Sequence, residues 1–460
     1  MRDAPRGRDR VITWLARLLT RGFFRSVETE GPALPAGPVI LAASHLNGFV
    51  DPVVLVAELR AFPRFLAKAT LWKVPAARVP LDLARVIPVQ RRVDAGERTD
   101  NAGTFDAAVA ALAHGHLLAV FPEGTTHDDP TIRPLRTGVA RIALQAAASG
   151  VEGVRIVPVG VSYEDKVAVR GRALVTFGEP IAVPPGDVAL DEHGDPDHET
   201  VRALTERLTT ELQDLTPHFA STEDAVALTE AARISLRSRG VPDPLPMHDV
   251  ADGARALAAS GPEPVRHLVD RVARYEMLLR WVGLEDRDLT GGTTLSSLAR
   301  RAVVLGVLLV VLAPLALAGL FANLVPLALV LVAGLVVKAP VTKGTVRFLV
   351  GFVMFPLTWL AWALADARSG WLGETARQIT YPADVVLGGA PSDRLGAAAG
   401  LLVFVVAPLL GVVALVVAER LVAFLRTLDS WRRLLDRRGQ LTEVRAVRAE
   451  VVAAADALLQ

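Results

Sequence analysis

Between Ala302 and Val337 the chain carries no charged side chain at all. A helix that crosses a bilayer needs about 20 apolar residues, so this run is too long for one span. Pro314, Asn323 and Pro326 also interrupt it, and two spans or a re-entrant hairpin fit it. Two further apolar stretches, Phe348 to Ala365 and Leu395 to Ala418, follow. About four spans, or a hairpin plus two spans, are therefore expected between residues 300 and 419. The flanking charges predict the orientation. Arg300 and Arg301 precede the first run, Lys338, Lys343 and Arg347 follow it, and the loop from Asp366 to Arg394 mixes both signs. The positive-inside rule then places both termini in the cytoplasm of a multi-pass cell-membrane protein.

The rest of the chain falls into recognisable stretches. Residues 1–30 read as an amphipathic helix: Ile12, Leu15, Leu18, Leu19 and Phe23 recur at helical spacing, with Arg10, Arg17, Arg21 and Arg25 on the other side. Such a helix either lies on an anionic membrane surface or packs on its own domain. Arginines break every apolar run in it and no small-residue cleavage site follows, so it does not read as a secretory signal. Over residues 31–185 short apolar runs alternate with helical segments. "PVILAAS", "ARVIPVQ", "HLLAVFP", "VRIVPVGVS" and "RALVTFGEPI" read as buried strands; "DPVVLVAELRAF", "NAGTFDAAVAALAHG" and "RTGVARIALQAAASG" read as helices. This alternation predicts an α/β domain, a sheet with helices on both faces. Residues 186–299 turn charged and helical, and residues 420–460 form a basic C-terminal helix. A net charge of +1 gives no field to draw nucleic acid, and the absence of cysteine excludes disulfides, thiolate metal sites and a thiol nucleophile.

Two stretches carry candidate chemistry. In "SHLNGFVDP" the strand ends at Ser44, Asn47-Gly48 forms a turn, and Asp51 precedes Pro52. Asp51 fits the N-cap of the next helix, with proline at the first helical position. It equally fits a carboxylate that a turn folds back onto His45, which lies at the carboxyl end of a strand, where open α/β sheets hold ligands. Both readings stand on the residues alone. In "VFPEGTTHDDPTIRPLRTG", Glu123 and Gly124 fall at the end of another strand, with Arg133 and Arg136 nearby as cations. A glycine there lets backbone N–H groups approach a phosphate; an ordinary polar loop explains the same residues.

"SHLNGFVDP", "VIPVQRR", "FPEGTTHD" and "IVPVGVSYED", in that order, resemble the four motifs of the glycerophospholipid acyltransferase superfamily. Five residues separate His45 from Asp51, where the usual first motif has four. That departure resembles the fungal glycerol-3-phosphate/dihydroxyacetone-phosphate acyltransferases and their bacterial relatives. The resemblance implies that His45 is a general base oriented by Asp51. Arg91 or Arg92, with Glu123 and Gly124, would bind the acceptor phosphate, and Pro158 would shape the acyl-donor side. It implies acyl-CoA or acyl carrier protein as donor, direct transfer to a glycerol-phosphate-type hydroxyl, and no metal or other cofactor. Lysophosphatidate, or another lysophospholipid, is the alternative acceptor. A non-enzymatic lipid-binding scaffold is the alternative of another class. Acyl-chain length and oligomeric state are left open.

Other polar groups have plainer explanations. His114 and His116 flank Gly115 at a helix end, and Lys68 and Lys73 read as solvated charges. His127, Asp128 and Asp129 could be drawn as metal ligands, or serve structure or acceptor gating. No phosphate-binding P-loop, nucleophile elbow or dinucleotide fingerprint occurs.

Overall fold

The computed structural model describes residues 7–59, 62–73, 75–90, 102–183, 196–216, 218–291, 294–369 and 395–460. The expected boundary at 185/186, Arg91 and Arg92, and most of the mixed-charge loop before residue 395 lie outside the described residues. The chain forms two compact units. The first comprises Met1–Arg274, Pro340–Thr345 and Arg448–Gln460; the second comprises Tyr275–Ala339 and Val346–Val447.

The first unit is built on one mixed eight-stranded sheet. Its strands are β1 (Ser26–Glu30), β2 (Val39–Ala43), β3 (Arg64–Lys68), β4 (Ile87–Val89), β5 (Leu118–Val120), β6 (Arg155–Tyr163), β7 (Arg172–Phe177) and β8 (Ile181–Ala182). The spatial order is β1-β7-β6-β2-β5-β3-β4, with β8 beside β6. All neighbours are parallel except β7 and β8, which run antiparallel to β6. β2 lies between parallel partners β6 and β5, and every residue of VILAA is buried. A strand covered on both faces is expected to be continuously apolar rather than alternating. Its connections to β3 and β5 run through α2 (Val50–Glu58), α3 (Pro75–Leu83) and α4 (Ala102–Ala113). A fourth helix, α5 (Gly138–Ala148), leads to β6.

The predicted strands are present as β2, β4, β5, β6 and β7 with β8, and the predicted helices as α2, α4 and α5. Gly115 and Gly150 follow α4 and α5 at φ +72° and +82°, the left-handed turn that ends a helix. The sheet has two strands that apolar runs do not reveal. β1 is SVETE and β3 is RFLAK, both too polar to stand out. α5 buries Val139, Ile142, Ala143 and Leu144 against Ile40, Leu118 and Ile156 of the sheet, and α6 (His198–Leu215) adds Leu204, Leu208 and Leu212. Asp197 caps α6 by accepting from the backbone N–H of Glu199 at 2.9 Å and Thr200 at 3.0 Å.

The leading helix α1 (Gly7–Phe23) packs against α2. Its inward face is Thr13, Ala16, Thr20 and Phe23, while Val11, Trp14, Leu15 and Leu18 stay exposed. Arg17 donates to the carbonyls of Ala57 (2.9 Å) and Leu59 (3.3 Å), which are last-turn acceptors that α2 cannot satisfy itself. α7 (Thr222–Ser238) and α8 (Met247–Ala258) pack on one another.

Among the described residues three helices are long and apolar enough to cross a membrane: α11 (Leu295–Val336), α12 (Pro340–Ser369) and α13 (Leu395–Asp436), with qualifying stretches Leu295–Val336, Thr342–Asp366 and Leu402–Asp436. They follow α9 (Pro262–Val282) and the short α10 (Asp286–Thr290). The charge-free run expected to divide is a single helix of 42 residues, with Pro314 and Pro326 inside it. Proline is tolerated in an apolar helix where neighbouring helices re-satisfy the freed backbone. α11 and α13 pack along their length, and at Gly319 an added Cβ would overlap the Leu410 carbonyl, the close approach that small residues allow. Buried Asn323 joins all three helices. Its Nδ2 donates to the Gly319 (2.8 Å) and Ala407 (3.2 Å) carbonyls, and its Oδ1 accepts from Trp359 Nε1 at 2.8 Å.

Candidate active site

Three adjacent parallel strands, β6, β2 and β5, end on the same side of the sheet and deliver the candidate residues. β2 runs into Ser44 and His45, β5 into Phe121 to Gly124, and β6 ends at Tyr163. Ser44 ties two of these ends together. Its N–H donates to the Val159 carbonyl at 3.0 Å, and its Oγ accepts from the Val161 N–H at 2.9 Å.

From there the chain turns through Asn47 and Gly48, whose φ is +47°. α2 begins at Val50 with Phe49 at its N-cap position and no capping side chain. Asp51 is thus inside the first turn of α2 rather than capping it, and its carboxylate points back. Oδ2 accepts from the Asn47 N–H at 2.8 Å and lies 2.9 Å from His45 Nδ1; Oδ1 accepts from the Tyr163 hydroxyl at 2.5 Å. Asp51 is 0% exposed. A carboxylate only accepts hydrogen bonds, so His45 carries its proton on Nδ1 and presents a bare lone pair at Nε2. That nitrogen has no partner among the described residues. The imidazole lies flat on Phe121, with centroids 4.2 Å apart, which limits its tilt.

Glu123 is the hub of the second loop. One carboxylate oxygen accepts from the His45 backbone N–H at 2.8 Å. The other accepts from His127 Nε2 and from the Arg133 N–H, the latter at 3.0 Å. His127 Nδ1 accepts from the Asp129 N–H at 3.2 Å, so its Nε2 bears the proton that Glu123 takes. Both oxygens of this buried acid are therefore used, one to tie the β5 loop to His45 and the other to tie that loop to itself. Both nitrogens of His127 are engaged, and no group of three or more metal-binding side chains occurs among the described residues. His114 Nδ1 bonds the Ala110 carbonyl at 2.7 Å, at the end of α4.

The cations differ in how they are held. Arg133 pairs with Asp129 at 2.5 Å, which lowers the Asp129 pKa and raises that of Arg133. Arg136 crosses over Gly124. That glycine sits at φ +68°, and any Cβ there would overlap the arginine side chain. Arg136 is itself exposed, with its guanidinium beside the Glu123–Gly124 turn. Lys166 pairs with Asp128 and lies near Asp51. Burial lowers its pKa, and the Asp51 charge opposes that shift. Pro158 is buried inside β6, in register with Ala42 of β2. Asn47 is held from two sides. Its Nδ2 donates to the Lys166 carbonyl at 3.0 Å, and its own carbonyl accepts from Thr345 Oγ1 at 3.1 Å, in the segment Pro340–Thr345 that belongs to this unit.

Sequence reasoning thus brings together His45, Asp51, Glu123, Gly124 and Arg136. It misses Tyr163, Lys166 and Thr345, which come from residues 112 or more positions away from their partners in the first motif. The stretch "VSYEDK" places Tyr163 at the end of a strand and Lys166 just beyond it, but no local pattern says which neighbouring element supplies their partners.

Residues 26–162 match the family model described as Acyltransferase. Glycerol-3-phosphate O-acyltransferase 2 of Saccharomyces cerevisiae is 28% identical over 286 residues, covering 57% of this chain and 38% of that protein. Glycerol-3-phosphate O-acyltransferase 1 of the same yeast is 25% identical over 325 residues, 52% of this chain and 43% of that protein. A lyso-ornithine lipid O-acyltransferase of Rhizobium meliloti is 27% identical over 161 residues, 34% of this chain and 50% of that protein. The chain spans half or less of the length of these relatives.

Proposed function

From the premise that residues 26–162 are an acyltransferase domain of the glycerophospholipid acyltransferase superfamily, we propose that the chain transfers a fatty acyl group from a thioester to the hydroxyl of a glycerol-phosphate-type acceptor. The observation that carries this reading is His45 Nδ1 lying 2.9 Å from the fully buried carboxylate of Asp51, at the carboxyl ends of parallel strands.

In this reading His45 Nε2 removes the acceptor's hydroxyl proton as the oxygen attacks the thioester carbonyl carbon. Asp51 holds the ring in the reactive tautomer and stabilises the imidazolium that forms. As the tetrahedral intermediate collapses the C–S bond breaks, and the imidazolium returns its proton to the departing thiolate. No acyl-enzyme forms. A positioned base supplies about 10²–10⁴-fold; alignment of donor and acceptor accounts for much of the remainder.

Arg136, beside the Glu123–Gly124 turn, gives the acceptor phosphate a planar, two-pronged partner; Arg91 and Arg92 are further cations for the same end. Glu123 acts by holding the loop and His45, since a carboxylate repels phosphate. Pro158 bounds the acyl-donor side, with acyl-CoA or acyl carrier protein as donor. The exposed apolar face of α1, flanked by Arg10, Arg17 and Arg21, rests on an anionic leaflet, on the cytoplasmic side of the cell membrane. Glycerol 3-phosphate is favoured over lysophosphatidate by the yeast relatives' named activity.

The test offers wild-type membranes labelled acyl-CoA, or acyl-ACP, with glycerol 3-phosphate and lysophosphatidate in parallel. Labelled lysophosphatidate from glycerol 3-phosphate is the expected product. Labelled phosphatidate from added lysophosphatidate alone would move the reaction to the second acylation.

A further inference from the structure

We propose that Tyr163 is a positioning residue for the His45–Asp51 pair, donating its phenolic hydrogen to the Asp51 oxygen that does not face the imidazole. The proposal rests on the reading of His45 as base.

Asp51 has two oxygens to place, and its carboxylate would be free to rotate if only one were held. The Asn47 N–H pins Oδ2 at 2.8 Å and the Tyr163 hydroxyl pins Oδ1 at 2.5 Å, so the oxygen facing His45 Nδ1 cannot swing away. Tyr163 is itself fixed. It is the last residue of β6, paired with Ala173 of β7, and its ring stacks on the buried Phe24 with centroids 5.7 Å apart and planes 24° from parallel. Burial and the neighbouring Asp51 charge raise the phenol well above its ordinary pKa, so it stays a donor through the neutral range. The other titratable groups at this corner are Lys166, whose charge acts on Asp51, and Glu123 and His127, which face the backbone side of His45.

The hydroxyl does more than hold geometry. Its positive end points at the carboxylate and offsets part of the negative potential that His45 feels. Removing that donor leaves the Asp51 carboxylate with more of its charge to face the imidazolium. Replacement of Tyr163 by phenylalanine keeps the ring and its stacking on Phe24 and deletes only the donor.

The experiment measures acyl transfer by the full chain in proteoliposomes across pH, comparing wild type, Tyr163→Phe and His45→Ala. With Tyr163→Phe, kcat is expected to fall about tenfold, the loss of one hydrogen bond to a charged group, with KM values within about twofold. The acid limb of kcat/KM moves up by ~0.5 pH unit. A second arm replaces the chain's three tyrosines by 3-fluorotyrosine, whose more acidic phenol is a stronger donor of the same shape. There the limb moves down, and Tyr163→Phe abolishes that movement. An acid limb that stays put in both arms overturns the proposal, whether or not the rate or the unfolding midpoint changes, and leaves Tyr163 a packing residue. If His45→Ala retains wild-type transfer, the base reading fails and the proposal falls with it; loss of transfer in His45→Ala with an unmoved limb in Tyr163→Phe rejects the proposal alone.

Discussion

A carboxylate that is completely withdrawn from water is costly to keep charged unless donors surround it, and Asp51 has the Asn47 N–H, the Tyr163 hydroxyl and His45 Nδ1. Asp51→Asn keeps the size of the group and removes the charge that supports an imidazolium. The expected result is a fall in kcat of about 10²–10⁴-fold with little change in either KM, read from initial rates with each substrate varied. Gly124→Ala acts differently. At φ +68° an added methyl strains the backbone and displaces Arg136, so the KM for the phosphate-bearing acceptor is expected to rise about tenfold or more, one charge-assisted bond's worth, while the KM for the acyl donor stays put. His45 and Asp51 are legible in the sequence because a strand, an Asn-Gly turn and the helix that follows are all local. The capping role considered for Asp51 is equally local, and tertiary donors override it by pulling the side chain away from the helix end. Tyr163 is silent in the sequence for the same reason that it matters: its partner lies across a strand pairing.

At the scale of elements, the site depends on β6, β2 and β5 ending together, and their apolar runs made those strands visible. β1 and β3 were hidden because SVETE and RFLAK are too polar to stand out as buried runs. The expected break in the run from Ala302 to Val337 came from its length, more than one span needs, and from Pro314, Asn323 and Pro326 within it, whereas apolar surroundings and packed neighbours let one helix continue through both prolines. Asn323 has no water to fall back on. Asn323→Leu leaves Trp359 Nε1 and the Ala407 carbonyl without their partner, and is expected to cost about 1–3 kcal/mol, seen as a lower unfolding midpoint in lipid nanodiscs. For α1, the apolar stripe in the sequence was compatible with packing or with a membrane surface; the helix packs through Thr13, Ala16, Thr20 and Phe23 and leaves Trp14, Leu15 and Leu18 outward. Because the chain has no cysteine, a spin label at Leu18→Cys reports this site alone. In anionic proteoliposomes the label is expected to be reached by oxygen and shielded from a water-soluble nickel complex; equal access to nickel in water and in lipid would contradict the membrane-facing assignment.

Across the whole molecule, residues far apart in sequence return to the first unit. The C-terminal helix α14 (Leu441–Leu458) reaches α7, where Asp456 accepts from Ser235 Oγ at 2.6 Å and from Arg239 at 2.9 Å. Burial raises the Asp456 pKa, but the Ser235 and Arg239 bonds outweigh it and hold the group below its ordinary 3.8. A depressed carboxylate contributes stability above its unfolded value and loses it as pH falls through the folded one. Amide exchange over residues 448–458 is therefore expected to quicken as pH drops below 3.8 relative to the rest of the unit, after correction for intrinsic rates, and Asp456→Asn should flatten that dependence. The basic helix expected over residues 420–460 is divided: its first part continues α13 to Asp436, and α14 is a separate helix after the turn at Arg438–Gln440; what α14 docks on was not legible, since a helix face does not name its partner. The central claim, that His45 is the base of an acyl transfer, is tested most directly by the initial rate of product formation from glycerol 3-phosphate and labelled acyl donor in proteoliposomes, wild type against His45→Ala matched for amount and unfolding midpoint. A fall of about 10²–10⁴-fold is expected; a folded His45→Ala protein that keeps the wild-type rate would contradict that role.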